Sequence, residues 1–146
     1  MKKSTLIIGI IALAFSASAA HAQSFTYTTN DAVNTQIGDT GGLASGEVKF
    51  THASGENETG TYECVSMLSP EDSSIFDLHM TCQIKMNDGS FSLVFGCNAV
   101  EVEGERLSSC VGSMNGKTGA YENKRGNLSQ YSKVQGTNIG VGQWFE

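Results

Sequence analysis

The sequence predicts an all-β fold, an antiparallel closed β-barrel of about eight strands stapled by disulfides. Three observations carry that expectation. Apolar residues recur at every second position in "FDLHMTCQIKM" and again in "SFSLVFGCNAVEV". Helical spacing is absent from residues 23–146 over any window of the eleven or more residues that a helix assignment needs. Gly, Asn and Asp punctuate the alternating runs at short intervals, as tight turns between strands require.

The chain opens with Lys2 and Lys3, an apolar run from Leu6 to Phe15, and small residues ending in Ala20-His21-Ala22. This is the pattern of a Sec-type leader with an A-x-A cleavage site, so residues 1–22 read as a signal peptide and 23–146 as one domain. The apolar run is too short to cross a bilayer of about 30 Å as a helix. The expected destination is therefore secreted or periplasmic, with no membrane contact after cleavage near Ala22.

Four cysteines, Cys64, Cys82, Cys97 and Cys110, form an even set. In an oxidising compartment they read as two disulfides, because their spacings lack the close C-x-x-C pairs of a metal site.

Taken in order, Gln23 to Glu47 is polar and holds "SFTYT", read as a short first strand followed by a loose loop containing "GDTGG". A strand then ends at His52, before "ASGEN". In "FDLHMTCQIKM", Phe76, Leu78, Met80, Cys82, Ile84 and Met86 fall on one face. Asp77, His79, Thr81, Gln83 and Lys85 fall on the other, since side chains alternate sides along a strand. "NDGS" at residues 87–90 signals a hairpin, on the expectation that its Gly and its Asn or Asp adopt positive φ. Phe91, Leu93, Phe95 and Cys97 share a face in the next strand, and Glu103-Gly104 marks a second turn. "LSSCVGSM", "GNLSQYSKV" and "GTNIGVGQWF" supply the later strands.

The turns fix a register. A two-residue loop at Glu103-Gly104 sets Glu101 opposite Arg106, a favourable cross-strand pair, and Cys97 opposite Cys110. The register that pairs Leu68 with Leu78 also pairs Cys64 with Cys82. Cys64–Cys82 and Cys97–Cys110 are thus the preferred disulfides, with Cys82–Cys97 and Cys64–Cys110 as the rival arrangement, because Cys82 and Cys97 share a face across "NDGS".

The formal net charge is −6 and becomes two units more negative when Lys2 and Lys3 leave with the leader. An acidic chain without a basic stripe repels polyphosphate backbones, so no nucleic acid partner is expected. "CVGSMNGKTGAY" contains G-K-T at Gly116-Lys117-Thr118, yet Val111 stands where a phosphate loop needs its first Gly. No helix pattern follows to hold the anion, so no nucleotide is expected. Asn115-Gly116 reads instead as a hairpin turn.

The segment "GKTGAYENKRG", Gly116 to Gly126, resembles the glycine-rich "G-x-T-G-x-[Y/F]-x-x-x-x-G" stretch of the allene oxide cyclase-like and dirigent-like β-barrel superfamily, through Gly116, Thr118, Gly119, Tyr121 and Gly126. That resemblance implies an eight-stranded barrel with an apolar cavity, in which the segment joins two late strands. It further implies a small-molecule function, the steering of a cyclisation, isomerisation or coupling. The matched residues are structural in the family, so no catalytic residue transfers, and four cysteines depart from its pattern.

On this reading the ligand-cavity candidates are Tyr62, Met80, Phe91, Leu93, Phe95 and Tyr121, with Glu63, Tyr131 and Trp144 as further polar or aromatic candidates on nearby strands. Alternation turns Glu63 outward if Cys64 faces inward, and then brings Tyr62 inward. His52 and His79 have no third ligand at a recognisable spacing, so neither a metal nor any cofactor is expected. The expected function is an exported barrel binding a small apolar molecule. The alternative is a non-catalytic secreted interaction or structural module with a solid core. Oligomeric state is not encoded in any pattern found.

Overall fold

The computed structural model describes residues 23–68, 75–133 and 137–145. The leader and its cleavage site near Ala22 lie outside them. The described residues form eight strands: β1 (Gln23–Ile37), β2 (Gly41–His52), β3 (Asn57–Leu68), β4 (Leu78–Met86), β5 (Gly89–Val102), β6 (Glu105–Gly119), β7 (Arg125–Lys133) and β8 (Thr137–Phe145). Each pairs antiparallel with its sequence neighbours, and β1 pairs with β8 to close the barrel. Closure pairs β1 on both sides from Phe25 to Asn30, which covers the edges that otherwise invite strand addition; beyond Asn30 the described residues pair β1 with β2 alone.

The period-two pattern decides which residues enter the barrel. In β4, Cys82, Ile84 and Met86 are buried and Leu78 and Met80 half-buried, while His79, Thr81, Gln83 and Lys85 are exposed. Phe91, Leu93, Phe95 and Cys97 of β5 are buried beside them. The registers anticipated from the turns hold: Glu101 faces Arg106, Cys97 faces Cys110, Leu68 faces Leu78 and Cys64 faces Cys82. The disulfides are Cys64–Cys82 and Cys97–Cys110, and the rival pairing is excluded. Across the β4–β5 hairpin, Cys82 faces Leu93 instead of Cys97. Closing loops of 18 and 13 residues contributes about 3 kcal/mol per bridge on a chain-entropy account.

Four local expectations are corrected. The loose loop after "SFTYT" is the far half of a long β1–β2 hairpin, turning only at residues 38–40. From Ala32 to Ile37 every residue of β1 is exposed, so neither side is buried and no alternation can show. Asn115-Gly116 is not a turn; it lies inside β6, and the chain reverses at residues 120–124. The register of β5 on β6 shifts between Ser90 and Phe91, and Gly116 lies against the Tyr121 carbonyl, where a Cβ would sit 1.6 Å from the oxygen.

The "NDGS" hairpin forms with Asn87-Asp88 as its loop, but neither these residues nor Gly89 has positive φ. The two-residue hairpin with positive φ at both loop positions is Glu103-Gly104, with φ of 53° and 82°, the geometry whose twist matches the strands it joins. Phe76 precedes β4 and is freed from its parity. It covers the outward side of Gly96 and meets the His79 ring edge-on.

The barrel has two unlike halves. The lower end carries Gln23, Phe145 and the turns at 53–56, 87–88 and 120–124; the upper end carries those at 38–40 and 103–104. Phe25, Phe50, Phe91, Tyr121 and Trp144 pack the lower half, with ring centroids 4.6–6.4 Å apart. Glycines on β8 make room for this layer: the Phe25 ring lies over Gly142 and the Tyr27 ring over Gly140, where added Cβ atoms would approach to 2.2 and 2.3 Å.

Candidate functional site

Above the aromatic layer the inward side chains leave a cavity of about 350 Å³. Its volume falls at the lower end of the range of small-molecule sites. Phe50 and Phe91 lie toward its lower end, and Ile84, Leu93, Phe95 and Leu128 supply apolar wall. Both disulfides also face it, through Cys64, Cys82, Cys97 and Cys110. Five of the six cavity candidates, Tyr62, Met80, Phe91, Leu93 and Phe95, line this space. Tyr121 does not, because it opens the 120–124 turn and packs below Phe91.

Of the further candidates, Glu63 is exposed and Trp144 is buried in the aromatic layer. Tyr131 is 59 % exposed, since it faces Ile139 across β7 and β8 on the outward side.

A polar group of side chains gathers on the β1, β3, β7 and β8 side. The Tyr62 hydroxyl donates to Asp31 Oδ1. Asn138 Nδ2 donates to Thr29 Oγ1 at 2.6 Å and lies 3.4 Å from Asp31 Oδ1. The Tyr27 hydroxyl donates to Gln130 Oε1 at 2.9 Å, and Gln130 Nε2 donates to Ser132 Oγ at 2.9 Å. All seven residues line the cavity.

The local chain explains this placement. A bulge between Asp31 and Val33 interrupts β1, and bulges re-aim side chains. Opposite it stands Gly46, where a Cβ would lie 2.0 Å from the Asn30 carbonyl oxygen. Gly46 faces Asp31 on one side and Tyr62 on the other, so the missing side chain lets hydroxyl and carboxylate meet across β2.

Burial of the Tyr62 phenol, then the Asp31 hydrogen bond and charge, push its pKa well above the ordinary value of 10.0. Burial alone raises that of Tyr27. Both hydroxyls are therefore held as donors, which suits them to orienting polar groups and not to acting as bases.

A second polar cluster lies under the aromatic layer. Glu58 Oε2 accepts from the Tyr121 hydroxyl at 2.6 Å and lies 3.2 Å from His52 Nε2. Burial, reinforced by a hydrogen bond and like charge from Asp88, raises the Glu58 pKa despite the opposing bonds from Tyr121 and His52. Its Oε1 is buried and takes no hydrogen bond from the described residues, and the buried Trp144 indole nitrogen likewise has no partner among them.

Of the polar group lining the cavity, the sequence reading missed Tyr27, Thr29, Asp31, Gln130, Ser132 and Asn138. A signal for the first three was present, because Phe25, Tyr27, Thr29 and Asp31 continue the alternation of the first strand. For Gln130, Ser132 and Asn138 there was none, since their inward direction follows only from where β7 and β8 pair. Comparison of the chain with protein-family models, with curated proteins and with solved structures yields no match.

Proposed function

We propose that this protein is exported and binds a small, largely apolar molecule inside its barrel. The single observation that supports this reading is the cavity of about 350 Å³, walled in part by Ile84, Leu93, Phe95 and Leu128, above a lower half packed with aromatic rings. A solid structural module would fill that volume, because voids in protein cores forfeit dispersion contacts. Export is supported by the two disulfides, which fit an oxidising compartment, and by the leader pattern. The resemblance of Gly116 to Gly126 adds a catalytic version, in which the bound molecule is held folded for cyclisation or isomerisation. In that version Tyr62, donating its hydroxyl beside Asp31, orients the polar end of the reactant.

Titration with a neutral fluorescent apolar probe tests the binding reading. Saturable, competable binding that Leu93→Trp abolishes by filling the cavity is the expected result. Absence of binding by folded protein, or binding indifferent to Leu93→Trp, would return the reading to a solid interaction module. Mass spectrometry of material co-purified from the native compartment then identifies the occupant.

A further inference from the structure

The cavity lining carries one carboxylate, Asp31, and that carboxylate has acceptor capacity to spare. Asp31 Oδ1 accepts from the Tyr62 hydroxyl and faces Asn138 Nδ2, while Oδ2 takes no hydrogen bond from the described residues. No lysine or arginine of the described residues pairs with Asp31. A carboxylate offers about four acceptor sites, so at least two remain for a ligand. Asp31 is the one carboxylate in the cavity lining of the described residues, which Ser66, Ser108 and Gln130 share with the apolar Ile84, Leu93, Phe95 and Leu128.

We infer that the cavity takes a small lipophilic amine, its ammonium group meeting Asp31 Oδ2 and its hydrocarbon body lying against Ile84, Leu93 and Phe95. The inference rests on the proposed binding function and deepens it by naming the ligand class. An ammonium supplies both the donor and the charge that Asp31 lacks, and bonds between charged partners are roughly twice as strong as neutral ones. A hydroxyl supplies the donor alone. A carboxylic acid of the same length would bring two carboxylates together, which opposes its binding in the charged form. The chain's net charge of −6 favours the approach of cations in the same sense.

The test is a matched series, octylamine, octanol and octanoate, each displacing a neutral fluorescent apolar probe at neutral pH. Octylamine should bind about tenfold more tightly than octanol, with octanoate weakest. Asp31→Asn should bring octylamine down to the octanol level, with near-ultraviolet circular dichroism confirming native packing. The ranking in the unaltered protein stands as evidence even if that variant fails to fold. Octanoate equal to or tighter than octylamine, or an amine preference that survives Asp31→Asn, overturns the inference and leaves apolar binding intact. Failure of the neutral probe and of all three ligands overturns both readings together.

Discussion

The two halves of the barrel use the same alternation to opposite ends. In the lower half large rings dominate the inward positions, and Trp144, 2 % exposed, is wedged between Phe25, Phe91 and Tyr121. In the upper half the inward positions include Asp31, Ala44, Ser66, Ser108, Ser132 and Asn138, which are small or polar, beside the half-buried Leu78 and Met80 of β4. An eight-stranded barrel has an interior just wide enough for side chains to fill it. Side-chain volume therefore decides, layer by layer, whether that interior is a core or a cavity. Ring packing is concentrated below and open volume above.

The comparison can be broken most directly by truncation. Trp144→Ala should cost about 3–5 kcal/mol in urea unfolding, the range for deleting a large buried ring. Met80→Ala, half-buried beside the cavity, should cost about 1–2 kcal/mol. Equal losses would show that the halves do not differ in packing.

The disulfides come next, since both brace the cavity wall. Replacing Cys97 and Cys110 together by alanine should cost about 2–4 kcal/mol, mainly through a freer unfolded chain. Loss of probe affinity beyond the loss of folded protein would show that the bridge also shapes the cavity.

The lower polar cluster sharpens the contrast through pH. Glu58 has a raised pKa when folded, so the folded state holds its proton to higher pH than the unfolded chain. On this group's account stability is full below the ordinary carboxylate value of about 4.5 and falls as pH climbs through the folded value. Glu58→Gln should flatten that slope in urea melts taken across the acid range. Tyr27, Tyr62 and Tyr121 likewise keep their protons above the ordinary 10.0 when folded, so stability should decline further once pH passes that value.

The smallest effect belongs to the upper half. Tyr62→Phe removes a donor to Asp31 and should cost about 1 kcal/mol of stability. Under the catalytic version of the proposal it should also lower turnover, with little change in affinity for a neutral probe.

Legibility in the sequence followed the same division. Where one strand face is buried, as from Leu78 to Cys97, alternation and turn chemistry carried both the strands and the disulfide register. Where both faces are exposed, as from Ala32 to Ile37, a strand looked like a loop. The candidates failed for related reasons. Parity placed Tyr62 and Glu63 correctly, but it cannot say at which level of the barrel a ring sits, so Tyr121 went with the cavity. Nor could it say which face of β7 is inward, so Tyr131 was grouped with interior residues.

The amino-acid order alone determined that this chain is all-β, antiparallel and cross-linked between facing cysteines, because those properties depend on periodicity and on turns a few residues long. Only the closed tertiary structure decided that Asp31 meets Tyr62 over Gly46, that Asn138 joins them from the last strand, and that the space above Phe50 and Phe91 stays unfilled. Those contacts join residues 31 to 107 positions apart, and the cavity is a difference between a barrel's fixed radius and the volumes pointing into it. Neither quantity is carried by any local stretch of chain.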